Sequence, residues 1–261
     1  MCESITSESG ADPLRRALVA AALAVPAVAG LAQVKPPAIR IGRTDYTSIL
    51  VDIEERILND AFKRIGVAFD FVRLPLLRLI EMANDGAVDA DIGRIPEVAQ
   101  RFPNLVMVPT PNCNSEVAVY GAMPDFATVT RSAIKGMRIG IVRGVFILDK
   151  YTQGMNLVVV QDFAALMNML MERRIDAAVA IYLDTELQLR KKVIPGLVRW
   201  PYLWAAEPLH CLVHKRHAEL VPRLDAALAQ MTKAGLTRRY YLEGLRSIGA
   251  APLRPQEGAP N

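Results

Sequence analysis

Two stretches of the chain, LRLIEMANDGAVDADIG at 77–93 and AALMNMLMERRIDAAVA at 164–180, follow one plan. Each is an apolar helix, a polar turn, then a strand that opens on Ile or Val, Asp and Ala. Around them, short β-like runs alternate with helical ones. AIRIGR, FDFVRLP and VDADIGRI read as strands, and LVDIEERILNDAFKRIG as a helix with Ile53, Ile57, Ala61 and Ile65 at helical spacing. LVMVP and EVAVYGAM follow as strand-like runs. MRIGIVRG, LVVVQ and IDAAVAIY repeat the scheme, with helices at VFILDKYTQG and DFAALMNMLMERR, the latter capped by Asp162. EPLHCLVHK is a late strand, and 218–245 is helical with a break at Gly235. Strands alternating with crossover helices predict mostly parallel sheets covered on both faces. The internal repeat predicts two similar lobes. Ligands of open α/β sheets bind outside the carboxyl ends of the strands, so two such lobes predict a cleft between them.

The N-terminus is of a different kind. Arg15 and Arg16 precede LVAAALAVPAVAGLAQ, an apolar run with small residues at Ala27, Ala29, Gly30 and Ala32. A basic region, an apolar run and an A-x-A-like site predict an export signal over 1–32, with the mature chain starting near Gln33 and a periplasmic destination. Beyond position 35 no apolar run is long enough to span a bilayer. The 261 residues are 52% hydrophobic and 22% charged, enough to bury a sizeable core. The net charge of +4 comes from scattered basic residues without aromatic interleaving, which argues against nucleic-acid binding. There is no nucleophile elbow, phosphate loop or metal motif, and no cofactor is expected. His210 and His214 would share a helix face, but LHCLV is β-like, which sets them about 13 Å apart, too far for one metal ion.

The order and spacing of IRIGRTDY, LPLLRLIEMANDGAVDADIGRIP, RFPNLVMVPTP, KGMRIGIVRG, ERRIDAAVAIY and AELVPRLDAALAQMTKAG resemble the periplasmic solute-binding proteins of family 3, the amino-acid type. The resemblance covers nearly everything from Ile39 to Leu245. It implies a two-lobed type II periplasmic-binding fold of class α/β, each lobe a mostly parallel sheet flanked by helices. Lobe 1 would comprise 33–112 and 210–261, and lobe 2 113–209, with crossovers near Thr110 to Ser115 and Trp204 to Leu209. The implied mechanism is hinge closure on a small solute by a monomer that delivers it to the membrane permease of an ABC transporter.

The same resemblance nominates site residues. Tyr46, preceded by Asp45, stands where an aromatic platform often lies. Arg94 and Arg101 follow the strand whose arginine holds a carboxylate through a planar fork, and Arg94, nearer the strand end, is preferred. Arg78 opens the second helix beside a strand end. Arg143, Gly144, Val145 and Phe146 occupy the place of a Gly-Ser/Thr anion site, here without hydroxyls. After IDAAVA, amino-acid binders carry an aspartate for the α-ammonium. This chain has Ile181 and Tyr182 there, with Asp184 offset, so a carboxylate or other small organic anion fits better than a standard amino acid. The scheme also brings Cys113 and Cys211 near the crossovers, either as a disulfide or as two buried thiols. Two alternatives share the fold: a cyclohexadienyl-dehydratase-like enzyme, with Asp45, Asp184 or Glu116 as acid or base, and a sensor-type ligand-binding domain. A regulator's effector domain would need a helix-turn-helix where the apolar N-terminal run lies.

Overall fold

The computed structural model describes residues 38–255; the expected export segment lies outside them. The first half contains β1 (Ile39–Thr44), α1 (Ile49–Arg64), β2 (Phe69–Leu74), α2 (Leu76–Asn84), β3 (Ala90–Arg94), α3 (Pro96–Ala99) and β4 (Leu105–Met107). Next come β5 (Cys113–Gly121), α4 (Arg131–Lys135), β6 (Arg138–Val142), α5 (Phe146–Tyr151), β7 (Asn156–Val160), α6 (Phe163–Met171), β8 (Ala177–Ile181) and α7 (Tyr182–Lys191). The chain ends with β9 (Val198–Arg199), β10 (Ala205–His214), α8 (Val221–Lys233) and α9 (Leu236–Ser247).

Hydrogen bonding orders the strands β2-β1-β3-β10-β5-β8-β6-β7. The parallel set β2-β1-β3 and the parallel set β8-β6-β7 form the two sheets, and the antiparallel strands β10 and β5 lie between them. β10 serves both. Ala205 to Leu209 pair with β5, whereas His210 to His214 pair with β3 and β4. Asn112, immediately before β5, donates its backbone N–H to Leu209 O at 2.8 Å, so both crossing segments meet at this point.

Elementary chemistry explains why these segments fold as they do. α1 starts at Ser48, whose hydroxyl accepts from Val51 N–H at 3.1 Å, and it carries Lys63 and Arg64 in its last turn, where the helix dipole favours cations. Its buried face runs Leu50, Val51, Ile53, Glu54, Ile57, Leu58, Ala61 and Phe62, an i, i+3, i+4 stripe facing the sheet and α8 and α9. Asp162 caps α6 by accepting from Ala165 N–H at 2.8 Å. Trp200, Trp204, Tyr120 and Phe126 are among the largest fully buried side chains. Cys113 and Cys211 are free thiols, Cys211 buried in the core. His210 Nδ1 lies 2.9 Å from Val108 O and His217 Nε2 2.8 Å from Asp89, so these rings serve local pairings. Among the described residues no helix is long and apolar enough to cross a membrane.

Candidate functional site

The carboxyl ends of β1, β3, β6 and β8 converge on a cavity of about 100 Å³, whose walls include Thr44, Tyr46, Gly93, Arg94, Gly144 and Ile181. A wider chamber of about 680 Å³ adjoins it, sharing Tyr46, Leu76, Val145, Ile181 and Asp184. This is where the topology of parallel strands puts a ligand.

Arg94 ends β3 and is only 9% exposed. Its Nε donates to Asp91 Oδ2 at 2.8 Å, and Asp91 is fully buried. Among the described residues no group accepts from Nη1 or Nη2 of Arg94, which leaves the outer edge of a fixed guanidinium facing the cavity. Burial pushes the Asp91 carboxyl up, and Arg94 opposes that shift.

Glu54 comes from the buried stripe of α1 and is 2% exposed. It lies over Gly93, the one residue that leaves room: a Cβ there would fall 1.8 Å from Glu54 Oε1. Burial pushes the Glu54 carboxyl up to about 8, Asp91 adds to the shift and Arg94 opposes it. Gly93→Ala is expected to displace Glu54 from the cavity floor and to cost about 1–3 kcal/mol through overpacking, read from a urea unfolding midpoint.

Asp184 projects from the first turn of α7 across the gap to the start of α1. It accepts from Ser48 Oγ at 2.8 and 2.9 Å and from Leu50 N–H at 3.4 Å. Burial pushes its carboxyl up to about 6, while these donors oppose the shift. Two further contacts join the halves of the molecule: Lys150 Nζ donates to Glu97 at 2.6 Å, and the Arg101 guanidinium stands 5.6 Å from the Phe146 ring centroid.

Of the residues singled out from sequence, Tyr46, Arg94 and Phe146 line the narrow cavity, and Asp45, Tyr46, Arg78 and Arg143 line the wider chamber. Gly144 reaches the narrow cavity with φ of 83°, a backbone conformation that suits glycine. Four residues stand elsewhere than the sequence suggests. Arg101 lines neither space; α3 intervenes after β3 and turns this arginine onto Phe146. Tyr182 is fully buried, its hydroxyl donating to Ala251 O and accepting from Arg199 Nη1 at 2.9 Å, because it begins α7 rather than ending a strand. Asp184, offset along the sequence from the position after IDAAVA, lies in the walls of both spaces for the same reason. Glu116 lines neither, its carboxylate accepting from Tyr241 Oη at 2.5 Å. Glu54 was missed, although an acid inside an apolar helical stripe is the signal that would have found it.

No family model matches the chain. An uncharacterized protein from Shewanella oneidensis is 24% identical over 212 residues, which cover 74% of this chain and 76% of that protein. Among solved structures, an amino acid ABC transporter substrate-binding protein, AbpA, from Streptococcus pneumoniae bound to L-arginine is 13% identical, with a TM-score of 0.61 over 81% of this chain and 95% of that one. The GluR0 ligand-binding core in complex with L-glutamate is 13% identical, with a TM-score of 0.65 over 80% and 98%. A histidine kinase sensor domain with similarity to periplasmic binding proteins is 19% identical, with a TM-score of 0.63 over 81% and 97%. The fold is therefore the two-lobed type II periplasmic-binding fold.

Proposed function

We propose that the protein is a receptor for a small carboxylate-bearing solute, which it captures by closing two lobes around it. The observation that carries this reading is Arg94 on one lobe and Asp184 on the other lining a single cavity at facing strand ends. The Arg94 fork, already oriented by Asp91, receives the solute carboxylate. Asp184 restores the counter-charge that an ammonium group would need, so amino-acid-like zwitterions fit beside plain organic anions. Tyr46 and Phe146 supply apolar walls.

In this reading lobe 1 comprises 33–112 and 210–261, lobe 2 comprises 113–209, and 1–32 direct export to the periplasm, where a monomer hands its solute to an ABC permease. The substrate-binding structures that share the fold support that assignment. The sensor domain of the same fold supports a second reading, in which the closed lobes report the solute to a signalling partner.

A thermal melting screen with glycine, L-alanine, L-arginine, L-glutamate, L-lactate and propionate tests the proposal. A true ligand at a hundredfold excess over its Kd stabilises by about 2.7 kcal/mol, which raises Tm by about 5–10 °C in a chain of this size. The ligand is expected to be recovered unchanged. Its conversion would make the protein an enzyme, with Asp184 as the first candidate acid or base.

A further inference from the structure

The Arg94 cavity contains an acid that the receptor reading does not use. Glu54 is almost wholly buried, lines the cavity beside Arg94, and among the described residues its Oε1 has no hydrogen-bond partner. Asn112 lies alongside: one N–H of its Nδ2 goes to Ile92 O at 2.6 Å, and the same amide acts on the Glu54 carboxyl, favouring its charged form against the burial that raises it. A buried polar group without a partner is costly, and a site that places one in a ligand cavity gains by pairing it with the ligand.

We propose that Glu54 is a second ligand-contacting group of this site, donating a hydrogen bond as a carboxylic acid to the same solute carboxylate that Arg94 receives. The inference rests on the receptor reading and narrows it to solutes that insert a carboxylate towards β3. Charge balance favours the neutral acid. Arg94 is already neutralised by Asp91, so a solute carboxylate arriving beside an ionised Glu54 would bring a third negative charge to one guanidinium. A neutral acid instead offers a donor that strengthens in a dry cavity. The groups facing Glu54 are Asp91 and Arg94 from β3, Asp184 from α7, Tyr46 after β1, Cys113 from β5 and Cys211 from β10. Burial raises both thiols and Tyr46 well away from neutrality, and Asp184 titrates near 6. Between pH 7 and 9.5 the group expected to change charge is therefore Glu54, at about 8.

The test uses L-lactate and propionate, which have no ammonium group, in calorimetric titrations from pH 7 to 9.5. Affinity is expected to hold near pH 7 and to fall about tenfold for each pH unit above about 8. At pH 8, titrations in two buffers of different ionisation heat should show uptake of about half a proton per ligand bound. Glu54→Gln keeps a donor and should bind at pH 7 like the native protein while losing the pH dependence. Glu54→Leu, with no donor, should bind at pH 7 about ten- to a hundredfold more weakly. Binding of either probe with flat affinity across this range and no proton uptake would overturn the inference alone, leaving Glu54 paired internally with Asn112. If neither probe binds the native protein at pH 7, while ammonium-bearing solutes do, the inference also fails and the receptor reading stands. Silence from every solute in both sets overturns the receptor reading itself.

Discussion

Arg94→Ala is expected to remove carboxylate binding and to destabilise the fold, and the two losses separate in a second variant. Truncating one member of a buried, hydrogen-bonded charge pair across a binding contact costs about 2–5 kcal/mol, a loss of about thirtyfold to several thousandfold in affinity. The same change strands Asp91, which has no exposure to water, so stability should fall by about 3–5 kcal/mol. Asp91→Asn combined with Arg94→Ala removes the stranded charge and should recover most of that stability while leaving binding absent. Urea unfolding measures the first quantity, and titration with whichever solute passes the melting screen measures the second. Full affinity in the double variant would transfer the anchor to Arg78 or Arg143 in the wider chamber.

Asp184→Asn should stabilise the protein while narrowing what it binds. The folded-state pKa of Asp184 stands at about 6 against an ordinary 3.8. A group raised in this way contributes stability that is complete below its unfolded pKa and is lost as pH rises through the folded one. Above pH 6 the ionised carboxylate therefore costs of order 3 kcal/mol. Asparagine keeps the hydrogen bond from Ser48 without that cost. The variant's melting advantage should reach several degrees at pH 8 and be largely gone at pH 4. Solutes with an ammonium group should lose affinity in the variant, whereas lactate should not. An advantage of equal size at both pH values would mean that Asp184 is not the group being titrated.

The sequence made much of this molecule legible, for identifiable reasons. The strands from β1 to β8 carry short apolar runs bounded by turn residues, and α1 and α6 carry apolar stripes with a capping Ser48 or Asp162, so periodicity and capping point the same way. α7 has no such stripe. YLDTELQLRK mixes charge and apolar residues, and the strand reading ran on through Tyr182. That single misplaced boundary reversed two side chains. On a strand, residues 182 and 184 would share a face, but on a helix they lie about 200° apart, which sends Tyr182 into the core and Asp184 into the cleft. Arg94 was legible because it ends a strand at the predicted cleft. Glu54 is marked in the sequence only as an acid within the apolar stripe of α1; its approach to Gly93 and Arg94 on another element is a juxtaposition that no local spacing encodes.

Strand β10 lends its first half to one sheet and its second half to the other. Melting either sheet strips that strand of half its ladder and exposes the edge of the sheet that remains. The two sheets are thus tied to one thermodynamic fate. Heat should be absorbed in a single transition, with calorimetric and van't Hoff enthalpies in agreement.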